Sequence, residues 1–73
     1  MRVELDYRGF RIEVTAIQDG RAWNAAVRIQ RILSSSNPHV EVVPYRLPTA
    51  DDAERRGGIY ARRWVDRHGL GSA

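Results

Sequence analysis

Along the first half of the chain, hydrophobic and polar residues alternate with the two-residue period of strands that bury one face. Val3, Leu5 and Tyr7 are interleaved with Arg2, Glu4 and Asp6, which predicts a first strand over residues 2–7. Arg8-Gly9 supplies a turn, and the glycine tolerates the positive φ such turns require. Phe10, Ile12 and Val14 then oppose Arg11, Glu13 and Thr15 in a second strand over 10–17. Asp19-Gly20, between two β-prone runs, signals a hairpin. A third strand over 22–33 sets Trp23, Ala25, Val27 and Ile29 toward the core, with Asn24, Ala26, Arg28 and Gln30 facing away. The polar loop Ser34-Ser35-Ser36-Asn37-Pro38 precedes a fourth strand over 40–47. Pro44 has no N–H to give a ladder, so that strand belongs at an edge or carries a bulge.

After Pro48 the period becomes helical. Thr49, with Asp52 three residues on, forms a capping pair, and a helix is predicted over 50–68. Ala53, Gly57, Tyr60, Ala61, Trp64 and His68 share one face, with Val65 beside them. Small residues at every fourth position let this helix lie close to a sheet, and Trp64 is expected to anchor it on Trp23 and Val27. Gly69 suits the C′ position, and 69–73 is expected to fray. Connections this short favour an antiparallel meander, because parallel strands need long crossovers. The predicted fold is therefore α+β, in one domain spanning 1–73. It is an antiparallel meander of three to four strands, followed by one C-terminal helix packed on one sheet face.

The run Tyr7-Arg8-Gly9-Phe10 with Ile12, the helix start Thr49-Ala50-Asp51-Asp52-Ala53 and the ending Ala61-x-x-Trp64-Val65-Asp66-x-x-Gly69 carry a resemblance. The chain resembles a group of short bacterial proteins of unknown function and is similar to the small domain labelled haemolysin-activator (HlyU) type. That resemblance implies a β-rich domain closed by one helix and a regulatory setting. It transfers no catalytic or binding residue, because the shared positions are a turn, a cap and a packing face.

Composition narrows the setting. With 73 residues, the chain is near the lower limit for one unstapled core, and a dimer that buries more surface is expected to help. Cysteine is absent, which removes disulfides, thiolate metal sites and cysteine nucleophiles together. No apolar run has signal-peptide or membrane-span length, and a cytoplasmic protein with no membrane contact is expected.

No motif points to catalysis. His39 and His68 lack ligand spacing, so no metal site is expected, and His39 reads as an exposed loop residue. The serines of the loop lack nucleophile-elbow glycines. Asp51, Asp52 and Glu54 suit the first turn of a helix better than paired acid–base work. Gly57-Gly58 and Arg8-Gly9 lack the spacing of a phosphate loop. Neither an enzyme, a cofactor nor a small-molecule substrate is expected.

Arginine placement is the remaining signal. All twelve basic side chains are arginine, against nine carboxylates, for a net charge of +3 spread evenly along the chain. Arg56, Arg63 and Arg67 fall within about 40° on a helical wheel. The i±4 rule gives Asp51 to Arg55, Asp66 to Arg62 and Asp52 to Arg56, leaving Arg63 and Arg67 without a local carboxylate. Those two are the first candidates for anion or nucleic-acid contact. A second patch, Arg11, Arg28 and Arg46, lies on the open sheet face, where Glu13 is a cross-strand partner for Arg28 or Arg11 and no aromatic offers base stacking. The strand–helix order is also similar to the C-terminal part of double-stranded-RNA-binding domains, but here the helix starts with Asp51 and Asp52 where those carry positive charge. The expected function is a small non-enzymatic interaction module that self-associates as a homodimer or binds a protein partner. The alternative is a nucleic-acid-binding accessory or regulatory protein using arginine–phosphate contacts.

Overall fold

The computed structural model describes residues 2–34 and 37–69. Five elements follow in chain order: β1 (Arg2–Tyr7), β2 (Phe10–Asp19), β3 (Ala22–Arg31), β4 (His39–Leu47) and α1 (Ala50–His68). The strands form one antiparallel sheet in sequential order, and α1 covers one face, so the fold is the α+β meander closed by a helix that the periodicity predicts. Among the described residues no helix is long and apolar enough to cross a membrane.

The hairpins follow from local stereochemistry. Tyr7 pairs with Phe10, leaving Arg8-Gly9 as a two-residue turn whose φ values of 52° and 83° are the two positive angles a type I′ turn needs. At the second hairpin Asp19 pairs with Ala22, so the turn is Gly20-Arg21, one residue later than the Asp-Gly signal. Only Gly20 has positive φ there, 66°, the pattern of a type II′ turn. β2 consequently extends to Asp19. β3 stops at Arg31, short of 33, as the chain turns at Ile32 and Leu33.

The core lies between sheet and helix, built from Phe10, Ile12 and Val14 of β2, Ala25, Val27 and Ile29 of β3, and Ala61 and Val65 of α1. Thr49 caps α1 as expected, its hydroxyl accepting from the Asp52 N–H at 3.1 Å. Gly57 sits over Val14, Ala25 and Val27, and the helix is too close to the strands there for a large ring. Trp64 therefore does not anchor the centre of the face on Trp23 and Val27. It packs edge-on against Phe10 at one end of the sheet, whereas Trp23 pairs with Leu47 at the other end of β3.

Two further expectations are corrected. Asn24 is buried, although strand parity points it outward. The ladder pairs Trp23 with Leu47 and Ala25 with Val43, so Pro44, Tyr45 and Arg46 bulge opposite Asn24 alone. The Asn24 Oδ1 accepts the Arg46 N–H at 3.0 Å and takes the place of a ladder partner, with Arg46 at a φ of 55°. Gly69 is right-handed, at a φ of −73°, so its value is not conformational. A Cβ there would lie 2.8 Å from the Phe10 ring. The tail 70–73, expected to fray, and Ser35-Ser36 of the loop lie outside the described residues.

Candidate functional site

Cross-strand register neutralises the outer sheet face. Asp6 stands opposite Arg11 and Glu13 opposite Arg28, and these pairs close at 3.1 and 3.3 Å. Glu4 and Glu13 are also opposite each other, and Arg2 bridges both. Arg46, in the bulge, reaches Asp19 at 3.4 Å. Arg11, Arg28 and Arg46, grouped from the sequence as a second patch, each therefore have a carboxylate partner.

On α1 the pairing differs from the i±4 expectation. Arg55 pairs with Asp52 at 3.4 Å, not with Asp51. Asp66 is taken by the β1–β2 turn, accepting from the Tyr7 hydroxyl at 2.9 Å and lying 3.5 Å from Arg8, so Arg62 does not have it. Arg56 lies 5.5 Å from the Tyr45 ring centroid rather than beside Asp52. Among the described residues Arg56, Arg63 and Arg67 thus have no carboxylate within ion-pair distance. The three follow the flank of α1 nearest β4, where Tyr45 and Tyr60 lean across the gap. Arg21, in the second hairpin, Arg31, at the end of β3, and Arg62, on the opposite flank, likewise have no carboxylate within ion-pair distance among the described residues. Around Arg62, however, Asp51, Glu54 and Arg55 mix the signs over a groove floored by Val3, Leu5 and Val14.

At the C-terminal end of the arginine flank the aromatic residues collect. Trp64 is sandwiched between His39, 4.7 Å away, and His68, 4.2 Å away, both rings nearly parallel to the indole. His39 is thus the first residue of β4 and half-buried, not an exposed loop residue. The Glu41 carboxylate accepts from the Tyr60 hydroxyl at 2.6 Å and from His39 Nε2 at 2.9 Å. These hydrogen bonds, Tyr60 first, hold the Glu41 carboxyl below its ordinary value, and the same contact raises the Tyr60 hydroxyl. Because a carbonyl only accepts, His68 Nδ1 must donate to the Trp64 carbonyl, 2.9 Å away, which leaves Nε2 free of that contact.

Beside this stack is a concavity of about 350 Å³ lined by Phe10, Ile29, Arg31, Asn37, Pro38, His39, Trp64 and His68. The Arg31 guanidinium lies 4.7 Å from the Phe10 ring centroid, held by cation–π attraction, with no carboxylate partner among the described residues. The chain matches no family model, no curated protein and no solved structure. Among the described residues no three metal-ligating side chains converge. The helical period groups Arg56, Arg63 and Arg67, and the structure places them on one flank. The period alone does not join Arg31, His39 and Trp64 to them, since only the closing of β3 and β4 around the helix end brings these positions together.

Proposed function

We propose that the protein is a small non-enzymatic interaction module that self-associates through the outer face of its sheet. One observation carries this reading: Val40 and Val42, at 64% and 54% exposure, form an apolar strip on edge strand β4, beside Ala26 and near Ile17. A second copy is the partner that fits. An isologous contact must be self-complementary, and this face carries charges of both signs already closed into pairs, so two copies meet there without net repulsion. The unbalanced arginines lie on α1, across the sheet. Sedimentation equilibrium tests the proposal: the wild type should shift from monomer toward dimer as concentration rises, and Val42→Lys should remain monomeric with an unchanged circular dichroism spectrum. A wild type that stays monomeric at millimolar concentration would remove it.

A second reading, nucleic-acid binding through arginine–phosphate contacts, is supported by the segregation of Arg56, Arg63 and Arg67 onto one flank with no carboxylate within ion-pair distance among the described residues. Arg63→Ala with Arg67→Ala should then lower the log–log salt slope of binding by about 1.4 on single strands, or about 1.8 on duplex DNA. Absence of any salt-sensitive binding at low ionic strength would end that reading.

A further inference from the structure

We infer that the ligand of the arginine flank is a single-stranded nucleic acid, with its backbone along Arg56, Arg63 and Arg67 and one unstacked nucleotide seated in the concavity between Phe10, Arg31 and Trp64. The inference rests on the nucleic-acid reading above and adds strandedness and the seat of a base. From Arg56 to Arg67 the helix rises about 16 Å, so the three guanidiniums form a track rather than a point site. The track ends at Arg67, the residue before His68, whose ring lines the concavity. There the surface is no longer only charged: Phe10, Ile29 and Trp64 give an apolar floor whose rings are covered by Arg31, His39 and His68, so the exposed planar groups of Arg31 and His68 are the ones a base meets, with Asn37 and His39 on the rim.

A volume of about 350 Å³ lies within the range of sites that enclose small ligands. Arg31, held by Phe10 and not by an acid, keeps its donors for a base edge or a phosphate. Glu41, bonded to His39 at the rim, already accepts from both Tyr60 and His39. A duplex keeps its bases stacked and paired and has nothing to place in such a concavity, whereas a single strand exposes bases for aromatic contact.

The test uses fluorescence anisotropy with a labelled oligo(dT) of eight nucleotides and a labelled duplex of the same length, both at low ionic strength. The single strand should bind at least about tenfold tighter than the duplex. Arg31→Ala and His68→Ala should each weaken it by about five- to tenfold, at the lower end of what loss of one stacked base costs. His68→Ala should leave the salt slope unchanged, while Arg63→Ala with Arg67→Ala lowers it, and all variants should keep the wild-type thermal midpoint within a few degrees. Equal binding of duplex and single strand, lost on Arg63→Ala with Arg67→Ala, would overturn this inference and leave the nucleic-acid reading standing. Single-strand binding indifferent to both Arg31→Ala and His68→Ala would overturn the seat of the base. Binding of neither nucleic acid would overturn both readings, as would poly-glutamate binding as tightly as the oligonucleotide.

Discussion

The two neighbouring glycines of α1 should respond to alanine with opposite signs. Both are in the helix interior, where glycine costs about 1 kcal/mol relative to alanine, so backbone propensity favours each substitution equally. Their surroundings do not. A Cβ on Gly57 would stand 2.5 Å from Val14 Cγ1 and 2.9 Å from Ala25 Cβ, well inside ordinary carbon–carbon contact. Val14 and Ala25 are fully buried, at 0% exposure, and belong to two central strands, so neither can yield without moving the sheet. Overpacking of this kind costs about 1–3 kcal/mol, and the severity here puts it in the upper half of that range. After the helix gain, Gly57→Ala should lose about 1–2 kcal/mol, a fall in Tm of about 4–16 °C for a domain of this size. On Gly58 the added Cβ meets only the Arg62 guanidinium, at 3.5 Å, an ordinary contact with a flexible side chain. Gly58→Ala should therefore gain about 0.5–1 kcal/mol and raise Tm by about 2–8 °C. Urea and thermal unfolding followed by circular dichroism measure both, with unchanged m-values confirming that the same surface is exposed. A Gly57→Ala variant as stable as the wild type would mean that the helix does not sit at this distance from β2 and β3.

Asn24→Ala should cost about 1–3 kcal/mol, because the Arg46 N–H loses its acceptor inside the bulge. Hydrogen exchange at the Arg46 amide should accelerate with it, and unchanged protection would refute the role given to Asn24. Tyr60→Phe should move the Glu41 carboxyl upward, toward its ordinary value near 4.5, in an NMR titration. The wild-type contribution of Glu41 is present above that ordinary value and is lost as pH falls through its lowered folded value, so the variant should lose less stability on acidification. The raised Tyr60 hydroxyl acts at the other limb: its contribution is present below its ordinary value near 10 and fades as pH rises through the folded one. A Glu41 titration unchanged by Tyr60→Phe would break this account.

The strands and the helix were legible because one physical pattern dominates each. Val3-Leu5-Tyr7 and Phe10-Ile12-Val14 can only bury together on one face, and Thr49 with Asp52 marks a helix start by hydrogen-bond need alone. Asn24 was not legible, since period-two reasoning assumes an unbroken ladder and the bulge at Pro44-Tyr45-Arg46 breaks it. Pro44 announced that a bulge or an edge was coming, but not which residue would satisfy the freed backbone. Trp64 failed for a different reason. The size of a side chain suggests the middle of a packing face, yet the every-fourth-residue series Ala53, Gly57 and Ala61 draws the axis so near the sheet that only its ends have room for an indole.

The candidate surface was half legible, and the missing half shows what tertiary structure adds to a charge pattern. In sequence, arginines and carboxylates are evenly mixed, and the i±4 rule distributes partners along the helix as though it were alone. Folding unmixes them. Antiparallel register sets Asp6 and Glu13 against Arg11 and Arg28, and the first hairpin draws Asp66 away from the helix surface by offering it both the Tyr7 hydroxyl and Arg8. The strand acids are largely consumed by partners of their own, and the flank of α1 beside β4 retains cations with no carboxylate within ion-pair distance among the described residues. That flank is charged because of where its potential partners are held, so substitutions that release Asp66 should weaken anion binding without touching an arginine of the flank, Tyr7→Phe alone without touching any arginine. Tyr7→Phe removes the hydroxyl that accompanies Arg8 on Asp66, and Arg8→Ala removes the ion pair. If the freed carboxylate turns back toward Arg62 and Arg63, the double variant should bind an anionic strand more weakly than the wild type and show a smaller salt slope, with its fold intact by circular dichroism. Unchanged affinity and slope would mean that the field of the flank is set by Arg56, Arg63 and Arg67 alone.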